Sequence, residues 1–572
     1  MELTLVAVVG VISMVAVAAF SKRLGIAAPM SLVVVGIALS FVPGVPALEV
    51  EPELILAGVL PPLLYSAAVN MPATDFRRNF GAISGLAVVL VAVSTLGSGW
   101  LFHWLLPEIG WPAAFALGAV ISPTDAVAAT SVGKKLGLPS RLLTLLEGEG
   151  LINDASALVL LRSAIAAMAG SVSIWGVAGD FAFSVVIAVG VGLAVGLVNV
   201  RVRALLNDTV LNTAISFVVP FVAFLPAEEF EASGVLAVVV AGLVTGHQSP
   251  RYLRAQDRIG EAMNWRTLAF LLESAVFLLM GLGLKTLIDE VHEAGYSSGR
   301  ALLIGLVAAA FVIVVRIAFV APLIAVMRND ARRAAELKPR LESLQARIDD
   351  LDTDSRFGPR QAERMRLRVT RGAADVEFKL NEALGKRGGV VLAWAGMRGA
   401  ITVAAAQTLP EDTPLRPQLI LVAFVVAVTT LLLQGLTLPA LIRRVKVPGD
   451  DRAKLREEFV QLVSELGESR EAVLAEAANS GGYAPGVLEQ VRGDSLAARP
   501  RGGSKPMSAD GLDEAREQYL TLRLKVLDAE RDRLLTLRSQ HRYSSQALGH
   551  AQQVLDLQSA RMEQLAESTA DA

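Results

Sequence analysis

The stretch Leu142–Ala167 reads LLTLLEGEGLINDASALVLLRSAIAA and places Glu147, Glu149, Asn153, Asp154 and Arg162 inside an apolar run long enough to cross a bilayer. A carboxylate at the centre of a membrane helix costs about 3 kcal/mol even on insertion scales, so an acid there reads as a functional site, the alternative being a buried ion pair that only holds helices together. Glu149 and Asp154 stand five residues apart, about 140° around a helix, so they need not face the same cavity. Arg316, alone in AAAFVIVVRIAFVAP, must find a carboxylate at that depth; it is paired here with Glu149, which leaves Asp154 free. A free buried carboxylate is costly when bare and can take up a proton or a cation in turn.

Two other constellations lie at membrane depth. In ISPTDAV (Ile121–Val127), Pro123 removes a backbone donor and frees carbonyls just before Thr124 and Asp125. Asp125 can neutralise an opened helix end or help bind a cation, and either role fits. In GMRGAIT (Gly396–Thr402) the glycines allow opened backbone, and Arg398 can face negative helix ends as a counterpart to Asp125. Glu273 in FLLESAVFLLMGL reads as an acid in a structural hydrogen bond, while Asp180 and Glu147 read as lying near helix ends. The chain has no cysteine, which excludes disulfides, thiol catalysis and Cys-ligated metals. Its five histidines form no H-E-x-x-H, which argues against a histidine-bound metal centre.

The elements that must position these residues are membrane helices. The chain is 53% hydrophobic and 19% charged with mean hydropathy +0.50, in the range of polytopic membrane proteins. Thirteen apolar windows lie near 3–20, 25–43, 52–70, 81–105, 111–132, 141–168, 174–199, 208–226, 231–246, 265–287, 299–327, 389–409 and 415–442. The first has Lys22 and Arg23 after it rather than before it, so it reads as a membrane helix and not a cleaved leader. Basic residues cluster in alternate loops: Lys22 and Arg23; Arg77 and Arg78; Lys134, Lys135 and Arg141; Arg201 and Arg203; Arg251, Arg254 and Arg258. This alternation predicts an outside N-terminus and a cytoplasmic C-terminus in a multi-pass protein of the cell (plasma or inner) membrane. Pro61 and Pro62, Pro123, and Gly396 with Gly399 predict breaks in the third, fifth and twelfth helices. The fifth and twelfth correspond if helices one to six and eight to thirteen are inverted repeats, the arrangement of a transporter site.

The fold class is therefore an all-α polytopic membrane protein with about 13 transmembrane helices, inverted repeats, two crossed broken helices and a cytoplasmic helical tail. Residues 1–447 form the membrane domain, with a charged helical hairpin at 328–388 that turns at Gly358 and Pro359. Residues 448–572 form a tail that is likewise helical and reads as regulatory. In it, Leu455, Phe459, Leu462, Val463 and Leu466 mark one helix, and a linker surrounds ARPRGGSKP. A second helix carries Leu520, Leu527, Leu534, Leu548, Leu555 and Met562 on one seven-residue register, with His541 in the gap. That register suits a weak coiled coil or an amphipathic helix against its own tail.

SPTDAV, EGExLINDASALV and GMRGAIT, in this order within a membrane domain, resemble the monovalent cation/proton antiporter family of the bacterial NhaP-type sodium/proton antiporters and animal sodium/proton exchangers. The resemblance implies thirteen helices, a homodimer, broken helices crossing at Thr124–Asp125 and around Arg398, a cation bound at Asp154 and a Glu149–Arg316 ion pair. The Asn153–Asp154 pair resembles the electroneutral branch. The implied cation and proton set is Asp154, Asp125, Thr124, Asn153 and Ser66, the ions being substrates (Na+ or K+ and H+) and no cofactor being needed. Two departures stand out: Ser66 replaces an acidic residue of many relatives, and Gly150 replaces a serine after the glutamate. Both remove oxygen donors, so they weaken sodium binding, favour another monovalent cation, or leave water to complete the shell.

The expected function is secondary antiport by alternating access at Asp154, serving pH homeostasis. A channel or a membrane sensor signalling through the tail are the rival classes. An intramembrane aspartyl protease using Asp125 and Asp154 lacks its G-x-G-D motif.

Overall fold

The computed structural model describes residues 2–43, 45, 51–170, 174–350, 359–381, 384–494 and 509–570, and these residues form helices without a strand. In chain order, α1 (Glu2–Leu24) and α2 (Ala28–Ser40) precede a π-helical turn, Leu54–Val59, that runs directly into α3 (Leu60–Asn70). The break expected at Pro61 and Pro62 is absent. Both prolines occupy the first turn of α3, and the wide π-helical turn before them absorbs the carbonyls that their rings would otherwise strike.

A second π-helical turn, Gly85–Val89, joins α4 (Ala73–Ser84) to α5 (Leu90–Leu105). Next come α6 (Gly110–Ile121) and α7 (Ala126–Leu136), two halves of one broken span, and α8 (Ser140–Ala169). They are followed by α9 (Ile174–Arg203), α10 (Thr209–Glu229), α11 (Gly234–Tyr252), α12 (Ala255–Leu282) and α13 (Leu284–Glu293). Helix α14 (Ser298–Asp350) runs for 53 residues, far past its apolar window, and α15 (Pro359–Asn381) packs back along it. Of the turn expected between them, Pro359 opens α15 and Gly358 lies outside the described residues. The second broken span is α16 (Lys386–Trp394) with α17 (Ala400–Gln407), followed by α18 (Arg416–Val445). Among the described residues, eight helices are long and apolar enough to cross a membrane, with two shorter apolar helices beside them. Large apolar side chains such as Val186, Val210 and Leu225 stand exposed on their outer faces, as a lipid-facing surface requires.

The membrane helices pack as two groups. In one, α4–α8, α14 and α16–α18 surround the two breaks; in the other, α1–α3 pack with α9–α12. The second group is stiffened by polar contacts that the loop pattern did not reveal. Arg203, counted above among loop cations, is fully buried and makes two bonds to Glu261, at 3.1 and 2.8 Å, with Asn212 at 3.3 Å. On the same helix as Glu261, Trp265 donates to Ser216 at 3.1 Å and packs against Tyr65 with the rings tilted by 48° and their centroids 5.3 Å apart.

The tail folds as α19 (Arg452–Ser480), α20 (Pro485–Gly493), α21 (Ala509–Gln540) and α22 (Ser545–Ala570). The expected linker ARPRGGSKP lies outside the described residues. The single long helix is a hairpin instead: His541 adopts a left-handed turn at φ 60° and reverses the chain. The seven-residue register spans two helices because both halves face one core with α19, in which Leu462, Leu527, Leu534 and Leu555 meet.

Helices α2 and α12 approach until backbone meets backbone. A Cβ added to Gly36 would lie 2.5 Å from the Leu278 carbonyl oxygen and 2.9 Å from Gly281 Cα, the small-residue contact that membrane helices use. Gly36→Val is expected to cost about 1–3 kcal/mol by overpacking and to lower the thermal midpoint in detergent; an unchanged midpoint would show that the two helices part freely.

Candidate functional site

The site is built where the two broken spans cross. In a continuous helix the Ile121 carbonyl would accept from the Asp125 amide, four residues on. Here that amide donates instead to the Met397 carbonyl in the other break, at 2.7 Å. Arg398 takes the vacated place: its Nε donates to the Ile121 carbonyl at 3.0 Å and its guanidinium also donates to the Gly396 carbonyl at 2.5 Å. Its own amide donates to Thr430 Oγ1 at 3.2 Å. Arg398 thus faces helix-end carbonyls, as expected, but it does not pair with Asp125. That carboxylate caps α7, accepting from the Val127 amide at 2.8 Å, because a helix N-terminus presents free donors and partial positive charge. Gly399 makes this possible, since a Cβ there would lie 2.5 Å from Asp125 Oδ2.

Helix α8 presents Glu149 and Asn153, four residues apart and so on one face, to this crossing. Glu149 and Arg316 form the expected pair, with Nη2 to Oε2 at 2.8 Å and a second, shorter contact between Nη1 and Oε1. Both side chains are buried, at 2% and 1% exposure. Arg316 also donates to the Leu392 carbonyl at 3.2 Å, and it reaches Glu149 past Gly396, where any Cβ would collide with its side chain. Thr124 Oγ1 donates to Glu149 at 2.6 Å, and Asn153 Nδ2 donates to the Thr124 carbonyl at 2.7 Å and to its hydroxyl at 3.1 Å. Thr124 and Asn153 therefore tie α8 to the break. The amide oxygen of Asn153 is buried without a hydrogen-bond partner.

Asp154, one residue further round α8, is 8% exposed and makes no hydrogen bond or ion pair among the described residues. Asp125 lies within electrostatic reach of it and of Glu273. Glu273 corrects the reading above: it is half-buried on α12 and has no hydrogen-bond or ion-pair partner among the described residues. Asp180 is exposed, and Glu147 pairs with Lys134 at 2.7 Å. Ser66 is buried on α3, which packs against α8; its carbonyl accepts from Asn70 at 2.7 Å, and no hydrogen bond joins it to Asp154. The roles of Thr430 and of the Leu392 carbonyl were not read from the sequence, since backbone acceptors leave no residue signature and a threonine in an apolar helix usually bonds only its own backbone.

The arrangement holds three carboxylates, Glu149, Asp125 and Asp154, against two guanidinium groups, Arg316 and Arg398. Acids therefore outnumber guanidinium groups here, with Glu273 as a further acid nearby. Among the described residues no cluster suited to a multivalent metal occurs.

Residues 10–444 match the family model described as sodium/hydrogen exchanger, transmembrane. An uncharacterised Na+/H+ exchanger of Mycobacterium tuberculosis is 28% identical over 98% of this chain and 96% of its own length. The low-affinity Na+/H+ antiporter NhaS1 of Synechocystis is 29% identical over 76% of this chain and 72% of its own. The solved structure of the sodium proton antiporter MjNhaP1 of Methanocaldococcus jannaschii shares the fold, with TM-score 0.54 and 16% identity over 78% of this chain and 99% of that one.

Removing one partner of a buried ion pair strands the other charge at a cost of about 3–5 kcal/mol. Arg316→Ala is therefore expected to lose folded protein as well as activity; normal yield and thermal midpoint would contradict that. Gly150 yields a second test, because a Cβ there would lie 2.9 Å from Ala126 Cβ. Gly150→Ser alone should lower the midpoint, and Ala126→Gly in the same chain should restore it; if the serine alone is tolerated, α7 and α8 are not locked at this point.

Proposed function

The chain belongs to the sodium/hydrogen exchanger family, and from that premise we propose that Asp154 is the carboxylate that binds a proton and a monovalent cation in alternation. The chain is a multi-pass membrane cation/proton antiporter. The observation that carries the reading is the isolation of Asp154. Around it Glu149 is tied to Arg316, Arg398 to two carbonyls and Asp125 to the α7 amides, while Asp154 has no fixed partner. A bare carboxylate at this depth is costly, so the group passes from one bound cation to the other, and cation and proton compete for it. One such exchange of one proton for one monovalent cation per cycle makes the antiport electroneutral.

The group of helices around the crossing carries Asp154 between the two membrane faces while the other group stays fixed. The thirteen apolar windows each cross the membrane, with the N-terminus outside, the C-terminus in the cytoplasm and the protein a homodimer in the cell membrane. For the cation shell, the unpartnered Asn153 oxygen is a ready donor beside Asp154. At Gly150 the crowding by Ala126 leaves no free place for a hydroxyl, and Ser66 brings no charge, so water completes the shell of Na+ or K+.

Asp154→Asn keeps the shape and removes the titrating charge. In proteoliposomes with an internal pH dye it should fall to the level of empty vesicles for Na+, K+ and Li+ alike, with unchanged yield of folded protein; exchange above that level would sink the assignment.

A further inference from the structure

The α21–α22 hairpin holds both groups of membrane helices at once. At one end, Arg258 at the start of α12 pairs with Asp556 of α22, with Nε to Oδ2 at 3.0 Å and a shorter second contact from Nη2 to Oδ1. Arg531 of α21 donates to the Pro250 carbonyl at 2.9 and 2.6 Å and to the Leu253 carbonyl at 2.9 Å. These are the carbonyls that the end of α11 leaves without helical donors. At the other end, the hairpin turn meets the first turn of α4, in the group around the crossing. Ser545 donates to Asp75 Oδ1 at 2.8 Å and lies 3.1 Å from Thr74 Oγ1. Arg78 donates to the His541 carbonyl at 3.3 Å and Arg77 to His541 Nδ1 at 3.2 Å. Burial and the guanidinium groups of Arg77, Arg78 and Arg371 push the His541 imidazole down to about 4, against the opposing pull of Asp375, so the ring is neutral and its Nδ1 accepts.

Between these ends the hairpin cannot stretch. Leu527, Leu534, Tyr543, Leu548 and Leu555 are locked with α19 in one apolar core, and packed cores transmit displacement rather than absorb it. A movement of one group of membrane helices past the other must therefore break the contacts at one end. A cavity of about 760 Å3 beside the α4 end, lined in part by Arg78, Arg141, His541 and Tyr543, gives that end room to disengage.

We propose that the α21–α22 hairpin is a strap that fastens the crossing bundle to the fixed group and slows exchange until one of its ends lets go. This rests on the alternating-access reading above. It gives the tail a mechanical role, in which anything that competes for Arg258, Arg531 or the α4 turn speeds transport.

The chain has no cysteine, so a disulfide can be placed without interference. Thr74→Cys with Ser545→Cys in the full chain, reconstituted in proteoliposomes, should cross-link on mild oxidation, lower the exchange rate at least tenfold relative to the same reduced molecules, and recover on reduction. Arg258→Ala with Arg531→Ala frees the other end: exchange should rise at least threefold over the unsubstituted chain, and the cross-link should then change the rate less than twofold. A disulfide that forms without slowing exchange, one that fails to form, or a freed strap that is no faster would each overturn the proposal. Exchange absent from the unsubstituted chain would instead overturn the antiport reading, and the strap with it.

Discussion

The structure depends on one diverted hydrogen bond. When the Asp125 amide turns from the Ile121 carbonyl to that of Met397, two interrupted helices are joined backbone to backbone, and a carbonyl is left open in the middle of an apolar bundle. An open carbonyl there costs several kcal/mol. Arg398 closes it and brings a positive charge to the ends of α6 and α16, whose dipoles leave negative ends at the crossing. The Asp125 carboxylate, released from pairing with that arginine, serves the positive end of α7. Each charge near the crossing therefore answers a helix end or another charge, the exceptions among the described residues being Asp154 and, on α12, Glu273.

Side-chain chemistry was legible in the sequence to the extent that it was local or costly. The Glu149–Arg316 pair followed from the expense of a lone arginine at depth, and both breaks followed from Pro123 and from the glycines of GMRGAIT. What was not legible depended on contacts distant in sequence or on backbone groups. Arg398 was matched with Asp125 because its true partners, the Ile121 and Gly396 carbonyls, have no residue identity. Arg203 looked like a loop cation because its partner Glu261 lies 58 residues away. Pro61 and Pro62 looked like a break because nothing in the side-chain pattern announces a π-helical turn. The register through Leu520 and Met562 looked continuous because a hairpin closing on one core presents the same spacing as a single helix, apart from the turn at His541.

The two groups of membrane helices are held internally by different means. Around the crossing, polar contacts run through Arg316, Glu149, Thr124 and Asn153, linking α14, α8 and the first break in one connected chain. The other group relies on close backbone approach, as between α2 and α12, with the Arg203–Glu261 pair as a second anchor. Between the groups the membrane helices bring mainly apolar packing, as where Tyr65 and Ala68 of α3 share a cluster with Leu151 and Ala155 of α8. Apolar packing has little directional preference, so such an interface resists sliding less than a bonded one. Among the described residues, the charge-assisted contacts that span the two groups are the Arg162–Glu228 pair, which joins α8 to α10, and those of the tail hairpin at the membrane surface.

That division bears on how, in the proposed mechanism, one carboxylate would serve two ions. If Asp154 were bonded as Glu149 is, a cation would have to displace an arginine and strand a charge, and the cycle would stall. If it were exposed as Asp180 is, it would stay ionised in water and bind a monovalent cation too weakly to couple to anything. Its position next to Asn153, whose amide is held by Thr124 while its oxygen is left unpartnered, lies between these limits: buried enough that a bare charge is unfavourable, and free enough for the proton and cation of the proposed cycle to replace one another. In that proposed site, Gly150 and Ser66 set how many other oxygens a cation would find. With Ala126 filling the space beside Gly150, the protein would contribute few fixed donors to the proposed shell, and a shell completed by water would discriminate between Na+ and K+ less sharply than a rigid protein cage.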